Sequence, residues 1–307
     1  MKIFKNRGDI YISKTKKMSN QAKILYALLA VIVVFTAVFT SYLHKNYSSA
    51  ADFFARGEVT TTEKEENIKE ILPETEGKTN YLIMETDESK ETLHYIFLIQ
   101  ADKDNRAYKA AALSPDMNLG STTVIKEYKT SGGAGLKAKF TEYLGFEIDY
   151  YADFDSGGFI ELVNKLGSYV YTSNEKIDYS GNKEDDKYTL KIKEGEQTIS
   201  GSETSNLLRY FTEKTKNYSA ENELILKALP ELLNEENYEN ADSLFKLFMK
   251  NCTTDITVRD FENGKNGVMV FCTLSTDLTL YSATTEFDDT NTLTSSSIKN
   301  IKGYFSK

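Results

Sequence analysis

The alternation of apolar and polar positions is clearest between residues 133 and 167, GAGLKAKFTEYLGFEIDYYADFDSGGFIELVNKLG. Leu136, Phe140, Tyr143 and Leu144 recur three or four apart, which places them on one helix face, and Gly145 supplies the left-handed residue that ends the helix. Ile148, Tyr150, Ala152 and Phe154 then share one parity and Asp149, Tyr151 and Asp153 the other, as in a strand with a single buried face. Asp155 stands where an N-cap is wanted, Phe159, Leu162, Val163 and Leu166 return to helical spacing, and Gly167 closes the element. Helix, strand and helix follow one another with almost no slack, which predicts a buried α/β unit.

Upstream, strands are predicted over 81–86, 92–100 and 107–113, the last two separated by the turn ADKDNR. SPDMNLGSTTVIKEYKTSG, residues 114–132, reads as a long loop of about 19 residues, a length that usually signals function or mobility. Downstream come a short strand at 169–171, a solvated turn YSGNKEDDK, and KYTLKIKEGEQTI, which alternates like an edge strand guarded by lysines. Ser200 and Glu203 form a capping box that opens a helix with Leu207, Leu208 and Phe211 on its apolar face. Two more helices are predicted, from Ser219 with Leu224, Ile225, Ala228, Leu229 and Leu232, and from Asp242 with Leu244, Phe245, Leu247 and Phe248. ITVRDF and VMVFCTL read as two strands joined by ENGKNG, whose Asn-Gly is a hairpin signal, and the final twenty residues carry little pattern. The expected fold class is therefore α/β, an α/β/α sandwich about a central mixed sheet.

The N-terminus changes the setting of this domain. Residues 24–43, ILYALLAVIVVFTAVFTSYL, hold no charge, and about 20 apolar residues is what a bilayer-spanning helix needs. The competing reading is a signal peptide, whose apolar region of about 7–15 residues would be shorter. Residues 1–23 carry seven basic side chains against Asp9, a surplus of six, which holds that end in the cytoplasm and puts the rest outside the cell membrane. Expected organisation is a basic tail (1–23), a single transmembrane anchor (24–43), a polar stalk (44–77), a main extracytoplasmic domain (78–260) and C-terminal strands and tail (261–307).

With a net charge of −9 overall and that surplus in the tail, the remainder stands at −15, which opposes binding to phosphate backbones and argues against nucleic acid as a partner. Cys252 and Cys272 are the only cysteines, and they either pair or remain as two thiols. Two histidines, His44 and His94, leave little material for a zinc site or a Ser-His-Asp triad. The GGAG at 132–135 lacks the Lys-Ser/Thr of a phosphate loop.

LGFEIDYYADFDSGGFIELVNKLG resembles the signature block of the LytR-CpsA-Psr family, and EGEQTISGSETSNLLRY at 194–210 is similar to the start of another of that family's helices. The resemblance spans roughly residues 80–260 and implies a membrane-anchored protein of cell-envelope assembly. Members of the family transfer glycopolymers from a polyprenyl pyrophosphate carrier to peptidoglycan. It places Asp87, Asp116 and Arg209 at catalytic positions, with Asp87 and Asp116 as ligands of a weakly held Mg²⁺. Other positions depart from the pattern. Glu91, Thr92, Leu93 and His94 stand where the family has Arg-Ser-Asp-Thr, Ser114-Pro115-Asp116 lacks an arginine before the aspartate, Phe211 replaces the second arginine of a pair, and Glu221 lies near another expected arginine. Diphosphate recognition leans on arginine forks that lysine does not replace. The departures point to a degenerate relative that binds polyprenyl-phosphate lipid, wall glycopolymer or an active paralogue with little or no catalysis; the alternative is an active phosphotransferase with a rearranged Mg²⁺ site.

Overall fold

The computed structural model describes residues 72–181 and 188–306. The basic tail, the expected anchor and all but the end of the stalk lie outside the described residues; among these, no helix is long and apolar enough to cross a membrane.

Three strands open the domain, β1 (Lys78–Thr86), β2 (Leu93–Asp102) and β3 (Ala107–Leu113), paired antiparallel in sequence. Helix α1 (Val124–Leu144) leads into β4 (Tyr150–Asp155), which returns parallel to β1, and α2 (Ser156–Leu166) follows directly. The predicted caps hold. Gly145 is left-handed at φ 70°, ψ 32°, and the Asp155 carboxylate accepts the Gly158 amide at 2.6 Å. The expected 19-residue loop is much shorter, because Thr123 caps a helix that starts at Val124 and buries Val124 and Tyr128 one turn apart. Gly132, at φ 64° and ψ −168°, breaks the helical path before Leu136 and Phe140 resume the buried face, a conformation that glycine adopts without strain.

Strand β4 departs from its single-face expectation. Tyr151 and Asp153 are as buried as Ala152 and Phe154, because helices cover both faces of the sheet. On one face Leu82, Met84, Ile96, Leu98 and Tyr151 pack with Leu136, Phe140 and Leu144 of α1. On the other lie α2 and four later elements: α3 (Gly201–Arg209) with a π-helical turn at Tyr210–Thr215, α4 (Tyr218–Leu232), α6 (Ala241–Asn251) and α7 (Val258–Thr273). A short α5 (Glu235–Glu239) links α4 to α6. The stretch read as one edge strand divides at Gly195 (φ 91°) into β7 (Thr189–Ile192) and β8 (Gly195–Ile199). These pair with β6 (Ile177–Ser180) and β5 (Tyr169–Ser173) in two separate ribbons. The main sheet has six strands in the order β10-β3-β2-β1-β4-β9, where β9 is Cys252–Thr254 and β10 is Thr279–Ser282.

The C-terminal third corrects the sequence reading most. The expected hairpin of ITVRDF and VMVFCTL is the single helix α7, opened by a capping box between Thr257 and Asp260. The final residues are not a tail without pattern. β10 adds a parallel edge strand to β3, and α8 (Ser295–Phe305) buries Ile301 and Phe305 completely in the core beside α1. Cys252 and Cys272 are both free thiols, each pushed up to about 12 by burial.

Close packing of α2 on α6 depends on one missing side chain. A Cβ on Gly158 would sit 2.4 Å from the carbonyl oxygen of Asn251. Gly158→Ala is expected to cost about 1–3 kcal/mol, since backbone must move to admit the methyl group. Urea denaturation checks this, and an unchanged midpoint would mean that the two helices are not locked.

Candidate functional site

Odd-numbered residues of β1 point to the helix-covered face that holds the cavity. Tyr81 and Ile83 join Phe97 and Ile99 of β2 and Tyr150, Ala152 and Phe154 of β4 to form the floor of an apolar cavity of about 450 Å³. Phe159, Leu162, Val163 and Leu166, the stripe that announced α2, line it from above, with Ile225, Ala228 and Leu229 of α4, Phe245 and Phe248 of α6, and Phe261 and Phe271 of α7. Tyr150, which shares its parity with Ala152 and Phe154, is thus a cavity residue. The Phe245 and Phe261 rings stack at 4.1 Å and close the wall between α6 and α7. Burial pushes the Tyr81 hydroxyl up to about 12, aided by neighbouring Tyr150 and Asp149, so this hydroxyl stays protonated at any physiological pH.

The next residue of β1 on this face after Ile83 is Glu85, which sits beside the cavity in a polar cluster. Glu85 is completely buried and accepts from four side chains. Arg209 donates from Nε (2.8 Å) and Nη2 (2.6 Å) to Oε1, Ser156 donates to Oε1 (3.0 Å), Tyr95 donates to Oε2 (2.6 Å), and Ser205 reaches both oxygens (2.9 and 3.2 Å). Arg209 also donates to Ser156 and stands 5.8 Å from the Tyr188 ring centroid. The cluster adjoins the cavity through Tyr95, whose ring lies 5.4 Å from Phe97 and 5.8 Å from Phe159. Its place is outside the carboxyl ends of the parallel pair β1 and β4, where open α/β sheets bind ligands.

A second polar group occupies the opposite face at the same strand ends. The Asp153 carboxylate accepts from Tyr128 Oη (2.8 Å), Lys90 Nζ (3.2 Å) and Thr86 Oγ1 (3.3 Å). Burial beside Asp153 lifts the Tyr128 hydroxyl beyond its ordinary range.

Of the residues expected to act, Arg209 lies in the buried cluster and the two aspartates do not. Asp87 holds its own turn: Oδ1 accepts the amides of Glu91 (2.8 Å) and Thr92 (2.9 Å), and Oδ2 accepts the Ser89 hydroxyl (2.6 Å). Partial burial raises its carboxyl, but these bonds outweigh burial and, with His94 nearby, hold it below the usual range. Asp116 is exposed in the turn after β3, its amide bonded to Ser114 Oγ at 3.2 Å. No group of three or more His, Cys, Asp or Glu suited to a metal gathers among the described residues. Both Asp87 oxygens are engaged within their own turn, and Asp116 stands in a different turn, after β3.

Leu93, where the family pattern wants a carboxylate, is a core residue packed with Leu82 and Met84, while Glu91 is exposed and pairs with Lys129 at 2.6 Å. His94 Nδ1 meets Glu213 at 2.9 Å. Sequence reasoning missed Glu85, Tyr95, Ser156 and Ser205. The available signal was a carboxylate occupying the inward parity of a strand otherwise apolar on that side.

A mixed sheet between helical layers, with an apolar cavity on one face and an arginine-centred polar cluster beside it, defines an α/β/α protein. The sequence profile of the LytR_cpsA_psr family matches residues 41–273, and the chain belongs to that family. Solved structures share the fold. A protein of Eubacterium siraeum described as a transcription regulator superposes with a TM-score of 0.64 at 16% identity, covering 74% of this chain and 90% of its own. TagV of B. subtilis gives 0.57 at 16% identity over 76% and 97%, and TagT bound to LI-WTA gives 0.55 at 12% identity over 78% and 94%. No curated protein sequence matches.

Proposed function

We propose that this protein is a membrane-anchored component of cell-envelope assembly that holds a polyprenyl-phosphate-linked glycopolymer, its lipid tail in the apolar cavity, and carries out little or no transfer. The observation that carries the reading is the 450 Å³ cavity, walled mostly by aliphatic and aromatic side chains, with the Arg209 cluster behind its wall, joined to it through the Tyr95 ring that packs on Phe97 and Phe159. Burying such a tail yields about 25 cal/mol for each Å² removed from water, enough to hold a lipid with few polar contacts. Residues 24–43 would place the domain at the outer face of the cell membrane, beside the carrier lipid. Impaired chemistry follows from the donors: one arginine replaces a clamp, and Leu93 supplies no oxygen. The TagT structure in complex with LI-WTA supports the choice of a glycopolymer as the carried group.

The test is binding of farnesol and farnesyl diphosphate by the full-length chain, with and without Mg²⁺, followed by incubation of a lipid-linked glycopolymer with peptidoglycan fragments. Expected are farnesol binding, no response to Mg²⁺ and no transfer. Ala228→Trp, which fills the cavity from α4, is expected to weaken binding at least about tenfold, as loss of roughly 1.4 kcal/mol would. Mg²⁺-dependent transfer would instead establish an active phosphotransferase with a rearranged site.

A further inference from the structure

Glu85 has the surroundings of a bound anion. Two nitrogens of one guanidinium, two serine hydroxyls and one tyrosine hydroxyl converge on its carboxylate, and all the donors come from outside its own strand. Arginine, serine and tyrosine donors around one buried oxyanion are what a protein uses to hold a phosphate. The side chain itself is 0% exposed, so no solvent competes for these donors, and Arg209 is 13% exposed. The ligand here is part of the chain.

We propose that Glu85 is a specificity-determining residue that occupies this protein's own oxyanion receptor, so that the Arg209 fork and the Ser156, Ser205 and Tyr95 hydroxyls are satisfied internally and turn away phosphate and diphosphate groups. The receptor adjoins the apolar cavity, so the occupied form favours an uncharged or weakly charged end of an amphiphile at that point and disfavours a dianionic one. Two like charges cannot share one guanidinium in a buried site without a large desolvation cost. Truncating Glu85 removes the occupant and leaves its donors in place around a gap. An external oxyanion then gains the contacts that the carboxylate held. The choice of a diphosphate as the relevant anion rests on the lipid-carrier reading; the receptor geometry does not.

The experiment compares the full-length parent with Glu85→Ala, using inorganic pyrophosphate as the probe. The parent's Tm is expected to be unmoved by millimolar pyrophosphate at constant ionic strength. Glu85→Ala should melt lower than the parent and be raised by pyrophosphate through linkage, with an affinity at least about tenfold above the parent's. Adding Arg209→Gln to Glu85→Ala should abolish the rise. Should Glu85→Ala not fold, Glu85→Gln keeps the volume and drops the charge, and a gain of about threefold is expected there. A folded variant with no gain over the parent overturns the proposal, as does a parent that already binds pyrophosphate through Arg209. Farnesol and farnesyl diphosphate run alongside separate a lipid head from a free anion. Farnesol reports on the cavity alone, so a protein that gains pyrophosphate but never binds farnesol would sink the lipid reading and leave this one standing.

Discussion

Phe159→Asp is expected to lower Tm by more than about 10 °C. Phe159 is buried at the start of α2, with its ring edge-on to Tyr95 (5.8 Å) and Phe154 (5.9 Å). Truncating a buried phenylalanine costs about 3–5 kcal/mol, and the new carboxylate adds a charge with no cation to meet it. Arg209 is already held by Glu85. In a body of this size each kcal/mol moves Tm by about 2–4 °C. Differential scanning calorimetry is the check, and a variant melting within a couple of degrees of the parent would show that α2 does not pack as described.

Glu221→Gln should stabilise the protein, by a margin that grows with pH. The Glu221 side chain is fully buried on α4; Thr212 donates to Oε1 at 2.8 Å, and Oε2 meets no hydrogen-bond partner among the described residues. Burial pushes the carboxyl well above its ordinary range, and the Thr212 hydrogen bond only partly opposes it. In the unfolded chain a glutamate loses its proton near pH 4.3, whereas the folded one keeps it to higher pH. Between those values the native state binds more protons, so stability is greatest below the unfolded value and falls as pH rises toward the folded one. Each pH unit in that window costs about 1.4 kcal/mol. A glutamine keeps the acceptor for Thr212 and has no proton to lose, so it escapes that slope. Urea midpoints measured from pH 4 to 8 should diverge upward for the variant. A constant offset, or a loss at high pH, would show that Glu221 is ionised and held in the native state.

The sequence was most legible where one pattern and one cap agreed. Asp155, Gly145 and the Ser200–Glu203 box each satisfy backbone groups within a few residues, and each local signal survived into the fold. ENGKNG failed for the opposite reason. Asn-Gly favours a hairpin locally, yet Phe261, Gly264, Val268 and Phe271 all reach the cavity at helical spacing, and burial of that stripe outweighs the turn preference. Gly264 and Gly267 interrupt the stripe with residues that look like breaks on paper. The site was half legible: Arg209 emerged through family resemblance. Its partner Glu85 lies 124 residues away, and Ser156 and Tyr95 sit on further elements, so no spacing in the chain announces that they meet.

The fully buried end of α8 joins the first hairpin through hydrogen bonds. The carbonyl of Phe305 accepts from the side-chain amides of Asn80 on β1 (3.1 Å) and Gln100 on β2 (3.0 Å), whose own amide groups are joined at 2.8 Å. Two strands made early therefore carry polar side chains in the sheet interior that share an acceptor on a residue made more than two hundred positions later, beside nearer acceptors on Glu147 for Asn80 and on Asn80 for Gln100. Contacts that span most of the chain close slowly. Without residue 305 each amide keeps one acceptor and loses the other, so the hydrogen bonding of the sheet interior is complete only with α8 in place. The last helix is thus a clasp on the two strands that the chain makes first.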